Sequence, residues 1–126
     1  MNQYVGIPYK AGGRGYDGCD CYGLVRLVLK EQFGKDMPEY GDCISHGSDE
    51  SHRLISDHLP LVDAFQPDVP RAGDVVVLKI RGLPSHVGVY LGGGKMLHTL
   101  AEHDSAIESV DSPKWVKRIE GYYRVR

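Results

Sequence analysis

Cysteine is scarce, with three among 126 residues. An odd number leaves one thiol over, and Cys19 and Cys21 stand too close to bridge without strain. A secreted disulfide framework is therefore not expected, and synthesis in a reducing compartment is. Long apolar runs are also missing, so no membrane span is expected. The opening residues, Met1-Asn2-Gln3-Tyr4-Val5-Gly6-Ile7-Pro8, show neither a basic start with an apolar core nor a small-residue cleavage site, and the chain is expected not to export itself. Excess charge is lacking too. Fifteen Lys and Arg against 17 Asp and Glu give a formal net charge of −2, without the electrostatic footprint of a nucleic-acid binder. No repeat, low-complexity tract or linker divides the chain, so residues 1–126 are expected to form a single domain. A chain of this length can bury roughly two-thirds of its unfolded surface, enough for a core and a cleft.

The charges that are present are unevenly spread. Between Asp36 and Asp68 eight acids accompany one base, Arg53, whereas Lys114, Lys117, Arg118, Arg124 and Arg126 crowd the end of the sequence. Two solvated faces account for this, with a docking surface as the alternative.

The most informative stretch is Gly18-Cys19-Asp20-Cys21-Tyr22-Gly23-Leu24-Val25, where a glycine-rich loop gives way to an apolar run. Cys21, Leu24, Val25, Val28 and Leu29 recur at helical spacing, Asp20 falls where an N-cap belongs, and Gly34 supplies the stop. A thiol in the first turn of a helix meets the positive end of the backbone dipole, which favours its thiolate. Cys21 is thus the candidate nucleophile. The competing reading is a small apolar side chain on the inner face of the helix.

Residues 6–18 read as an ordered loop, with Tyr9 and Tyr16 as its large side chains. A short helix is expected over Asp49–Leu59, ended by Pro60. His46, His52 and His58, spaced by six, match no metal-binding helix pattern. Beyond Pro70 the chain reads as sheet: Val75–Ile80, Ser85–Leu91, Lys95–Leu100 after a Gly92-Gly93-Gly94 loop, Ile107–Val110, and a closing strand over Gly121–Arg126. A helix-bearing first half and an antiparallel sheet in the second predict an α+β fold.

Alternation along Ser85–Leu91 sets His86, Gly88 and Tyr90 on one face and the valines on the other. If the glycines form the hairpin loop, position 88 lies opposite 98, and His86 and His98 become diagonal neighbours on one face. A thiol nucleophile requires such a pair: one imidazole to take its proton, and a partner to fix that imidazole's tautomer.

The blocks GIPYKAGG, GCDCYGLVRLVL, RAGDVVVLK and HVGVYLGGGKMLHT, in this order, resemble the NlpC-type cell-wall cysteine peptidases, a papain-like group acting on peptidoglycan stem peptides. The resemblance covers roughly residues 6–100. It implies a papain-like fold with the nucleophile-bearing helix packed on an antiparallel sheet, Cys21 as nucleophile, His86 as base and His98 as the third polar residue. Tyr9 matches a tyrosine that lies beside the active site and helps bind substrate or the oxyanion. Tyr22, where many members carry Ser, and the closing run RIEGYYRVR resemble the phage-tail branch of the family. That branch implies a component of a phage or phage-like tail, made in the host cytoplasm, with other tail-tip proteins as partners; a docking surface outside the cleft is expected in the basic C-terminal segment, at Lys114, Lys117 and Arg118.

The expected function is hydrolysis of stem-peptide bonds without a cofactor or metal. The Cys-x-Cys spacing of Cys19 and Cys21, with Cys43 and a histidine, does not suit structural zinc. The alternative is a non-catalytic tail protein that keeps the fold for docking alone. It is weakened by competent residues at every candidate catalytic position.

Overall fold

The computed structural model describes residues 1–10, 12–37, 64–80, 82–101 and 103–126. The helix expected over Asp49–Leu59, its stop at Pro60, the three histidines His46, His52 and His58, and Cys43 lie outside the described residues. Among those described, the architecture is α+β: one α-helix packs on a six-stranded antiparallel sheet, beside a two-stranded hairpin.

The hairpin is made of β1 (Arg14–Gly15) and β2 (Gly18–Cys19), preceded by a 3-10 turn at Asn2–Tyr4. Helix α1 follows at once and runs from Cys21 to Phe33. It begins there because the Asp20 backbone is extended while its carboxylate caps the first turn, accepting from Gly23 N–H at 2.7 Å. It ends at Gly34, whose backbone is left-handed (φ 63°), with Lys35 N–H donating back to the Leu29 carbonyl at 3.0 Å. The carboxylate of Glu31 accepts from both Tyr4 (2.7 Å) and Tyr16 (2.5 Å), tying the N-terminal turn and the hairpin tip to the end of the helix.

The large sheet contains β3 (Ala64–Phe65), β4 (Val75–Ile80), β5 (Leu83–Gly92), β6 (Lys95–His98), β7 (Ala106–Ser109) and β8 (Ile119–Val125), in the order β3-β8-β4-β5-β6-β7. The apolar run Val75–Leu78 within β4 has a physical reason: these four residues are buried on both faces of the sheet, and the run stops at the exposed Lys79. Val75 and Val77 join Leu24, Val25, Val28 and Leu29 of α1 in the larger core, together with Val87, Val89 and Leu97. Val76 and Leu78 point the other way, into a second core closed by Met96, Val110 and Trp115. Val89 lies opposite Leu97 and Tyr90 opposite Met96, which is the register expected from the glycine loop. The connection tightens to Gly93-Gly94, both with positive φ, after a bulge between Tyr90 and Gly92.

Three differences from the sequence reading are instructive. Segment 6–18 contains a hairpin rather than loop alone, because Gly13 lets two backbones meet: a Cβ there would stand 2.3 Å from the Gly18 carbonyl oxygen. Strand β3, two residues long, carries too little pattern to be read and exists by pairing with β8. The closing strand, expected over Gly121–Arg126, begins at Ile119, after a series of turns over residues 110–118.

Candidate active site

Cys21 is the first residue of α1 and is fully buried. Its helix packs against β5 and β6, the strands that carry His86 and His98. The turn that presents it is held from two sides by Asp20, itself fully buried: Oδ1 accepts from Gly23 N–H, and Oδ2 accepts from Gly12 N–H at 3.0 Å. The glycine loop is thereby fastened to the helix start.

His86 and His98 are both buried. Alternation puts them on the Trp115 side of the sheet, where His86 Nε2 lies 2.8 Å from His98 Nδ1. That spacing is a hydrogen bond between the two rings. It demands that one nitrogen carry the proton and the other accept it. Gly88 makes room for the pair, since its Cα faces the His98 Cβ across the β5–β6 ladder.

Glu108, on β7, extends the chain: its carboxylate meets His98 Nε2 in a short hydrogen bond. Burial pushes the His98 imidazole below its ordinary value, and nearby Lys114 adds to this, outweighing the pull of Glu108 in the other direction. Burial acts to raise the Glu108 carboxyl, but the hydrogen bond from His98 and its charge outweigh that and hold it below the usual carboxylate range, with smaller help from the nearby Trp115 indole and Lys114. The stable combination at neutral pH is an ionised Glu108 accepting from a neutral His98.

Trp115 backs the assembly. Fully buried, it stacks on His86 (centroids 5.9 Å apart, planes 26° apart) and meets His98 edge-on at 5.1 Å. On its outer side Lys114 Nζ lies 5.0 Å from the ring centroid and the Arg118 guanidinium 5.7 Å. A cleft of about 240 Å³ opens beside His98 and Glu108, with Lys114, His103 and Asp104 among its walls. Lys114 lines this pocket together with His98 and Glu108, carried there by the turns at 110–118 that fold Trp115 under the histidines.

Tyr9, half-buried, is placed by a parallel bridge to Cys19, flanked by hydrogen bonds from Lys10 N–H to the Cys19 carbonyl and from Cys19 N–H to the Pro8 carbonyl, each 3.1 Å. This lays the Pro-Tyr block alongside the strand that leads into Cys21. Ser105 anchors the same block from the other side. Its hydroxyl accepts from Ile7 N–H (2.8 Å) and donates to the Tyr4 carbonyl (2.5 Å), so residues 4–7 are fixed to the connection between β6 and β7. Among the described residues no cluster of three or more His, Cys, Asp or Glu could hold a metal ion.

Sequence reading missed Glu108 and Trp115. The signal for Glu108 was present in principle: with Met96 opposite Glu108 and His98 opposite Ala106, Glu108 is the diagonal neighbour of His98, as His98 is of His86. The connection 99–105 carries no turn signature that would fix this register. Trp115 lies in turns without periodicity and carried no signal.

The NlpC/P60 family model matches residues 6–124. Murein DD-endopeptidase MepS/murein LD-carboxypeptidase of Escherichia coli (strain K12) is 30% identical over 128 residues, covering 99% of this chain and 61% of that protein. The gamma-D-glutamyl-L-lysine dipeptidyl-peptidase of Bacillus subtilis (strain 168) is 33% identical over 100 residues, 76% of this chain and 28% of the relative. The chain thus spans less than two-thirds of the length of these relatives. Among solved structures, the NlpC/p60 domain of the peptidoglycan hydrolase SagA is similar with a TM-score of 0.65 at 22% identity, over 99% of this chain and 92% of that one. That likeness is one of fold, and it agrees with the papain-like arrangement expected from the sequence.

Proposed function

Since the chain belongs to the NlpC/P60 family, we propose that it is a cysteine peptidase that hydrolyses peptide bonds in the stem peptides of peptidoglycan. The observation that carries this reading is the buried contact between His86 Nε2 and His98 Nδ1 at 2.8 Å, on strands against which the Cys21 helix packs. The names of the relatives support the substrate class: one is a murein endopeptidase and carboxypeptidase, another a glutamyl-lysine dipeptidyl-peptidase.

In this mechanism His86 takes the Cys21 proton and the thiolate sulfur attacks the scissile carbonyl carbon, giving a tetrahedral oxyanion. The backbone N–H of Cys21, at the helix N-terminus, and the Tyr9 hydroxyl are its proposed donors. Collapse breaks the C–N bond, and His86 returns the proton to the leaving amine. Water then attacks the thioester while His86 accepts its proton, and the products are a carboxylate and the regenerated thiol. His98 orients His86 throughout.

The finer reading is that the chain works in a phage or phage-like tail and opens the wall locally together with other tail-tip proteins. It is supported by Tyr22 beside the nucleophile and by the closing run Arg118-Ile119-Glu120-Gly121-Tyr122-Tyr123-Arg124-Val125-Arg126, both of which resemble that branch.

Mass spectrometry of defined muropeptides incubated with the protein, and with Cys21→Ala as control, tests the chemistry. Cleavage at a stem-peptide bond by the wild type alone is expected; intact substrates, or equal cleavage by the variant, would refute the reading. Retention of other tail proteins from a phage-producing lysate tests the tail assignment, which fails if none is retained.

A further inference from the structure

The hydrogen bonds do not end at His98, and their direction has a chemical consequence. We infer that Glu108 is a fourth, positioning member of the site, which sets the tautomers of two histidines in series and so selects the nitrogen of His86 that acts as base. The inference rests on Cys21 as the nucleophile served by His86.

A carboxylate can only accept. The nitrogen of His98 facing Glu108, Nε2, must therefore carry a proton. In a neutral ring that leaves Nδ1 with the lone pair, and Nδ1 is the atom turned to His86 at 2.8 Å. It accepts, so His86 donates from Nε2. The lone pair of neutral His86 is then at Nδ1, and that is the nitrogen which takes the thiol proton. When it does, the imidazolium keeps its Nε2–H aimed at His98, whose Nδ1 lone pair is held in place by Glu108 beyond it. No proton needs to pass along the relay; the carboxylate acts at the far end by fixing direction.

Other features fit this role. His98 is surrounded by His86 from β5, Glu108 from β7, and Trp115 and Lys114 from the turns after β7, with His103 and Asp104 across the cleft. Among the described residues, the group hydrogen-bonded to its Nε2 is the Glu108 carboxylate. The Trp115 ring, stacked on His86 and edge-on to His98, restrains both imidazoles from turning. Without Glu108, His98 could present either tautomer, and half of its arrangements would turn an N–H toward His86. The Asp of a serine-protease triad orients its histidine by the same logic, one ring closer to the nucleophile.

The test reads tautomers directly and needs no murein. Long-range nitrogen–proton correlation spectra of the full chain, labelled with ¹⁵N in histidine, are expected to show His86 and His98 both protonated at Nε2 near neutral pH. In Glu108→Ala both rings should shift toward averaged tautomers, and Glu108→Asp should restore part of the wild-type pattern. The alkylation rate of Cys21 by iodoacetamide should fall on the order of 10-fold in Glu108→Ala, and kcat on muropeptides by 10-fold or more with KM little changed, within the ~10² to 10⁴ that acid–base help supplies. A wild-type His98 protonated at Nδ1 would overturn the inference even if the alanine variant failed to fold, and so would tautomers unmoved by Glu108→Ala. Inert muropeptides with the expected tautomers would instead refute the peptidase reading and leave the relay standing.

Discussion

The indole of Trp115 lies on the imidazole of His86 with the two rings 5.9 Å apart and nearly parallel, both side chains fully buried. An imidazole held in this way is kept from swinging out of the site, so Trp115 fixes where the proposed base points. Trp115 is also the largest member of the second core, and its truncation removes both functions.

Trp115→Ala should cost about 3 to 5 kcal/mol of stability, the usual range for emptying a large aromatic site. Trp115→Phe should cost much less. Among the described residues the indole Nε1 has no partner at full hydrogen-bond geometry, so phenylalanine gives up ring area and only the weak help that the indole lends the nearby Glu108 carboxylate. Urea denaturation of both variants checks this. If phenylalanine destabilises as much as alanine, the stability comes from the indole nitrogen and not from ring packing.

Gly88 separates the two histidines in the ladder, and it is glycine for space rather than for backbone angle. A Cβ at this position would come within 3.1 Å of His98 Cβ and of the Leu97 carbonyl oxygen, and the β5–β6 pair would have to give by a few tenths of an ångström. Misplacement of about 1 Å can cost on the order of 100-fold in rate. Gly88→Ala is therefore expected to fold and to lose roughly several-fold to 10-fold in kcat, with a smaller loss at Gly88→Ala than at His86→Ala. Full activity in a folded Gly88→Ala would show that the site tolerates movement of His98.

Much of this site was legible in the sequence because it is built from short-range signals. Asp20, Cys21 and Gly34 announce a helix with a capped thiol, and the period-2 pattern of β5 with a glycine turn announces the His86–His98 face. The NlpC-type resemblance placed the same residues in roles. What was not legible depends on long-range register and on irregular backbone. Glu108 reaches His98 through a ladder whose connection has no signature, and Trp115 arrives by a run of turns. The hairpin at 14–19 was hidden for a related reason. Its two-residue strands are stabilised by Gly13 and by the Asp20 bond to Gly12, contacts that become visible only when the loop is closed.

Asp20 serves two masters, and its substitutions should rank accordingly. Asp20→Ala removes the acceptor from both Gly23 and Gly12 in a buried place, which should cost about 2 to 4 kcal/mol from the lost cap and the stranded N–H groups. Asp20→Asn keeps one oxygen but turns an amide NH₂ toward one of the two donors, so it should fall between wild type and alanine. Denaturant midpoints give the ranking. A wild-type midpoint in Asp20→Asn would mean that one of the two bonds, to Gly12 or to Gly23, contributes nothing to stability.

The pH dependence of stability follows from His98 and Glu108, and both act in the same direction. The His98 pKa is lowered by burial, so between its folded value and the unfolded value near 6.5 the unfolded chain binds more protons than the native one. Stability is then complete above about pH 6.5 and declines as pH falls through that window. Glu108 is likewise lowered, chiefly because the His98 hydrogen bond overcomes its desolvation, and it adds a second decline below the ordinary carboxylate range. The melting temperature should therefore drop on acidification from pH 7 toward pH 5, with part of the slope belonging to His98. In His98→Asn, which cannot titrate, that part should vanish and the curve should flatten between pH 7 and 5. Calorimetric scans at half-unit pH intervals make the comparison. An unchanged slope in His98→Asn would show that the buried imidazole is not the group that acid unfolding must protonate.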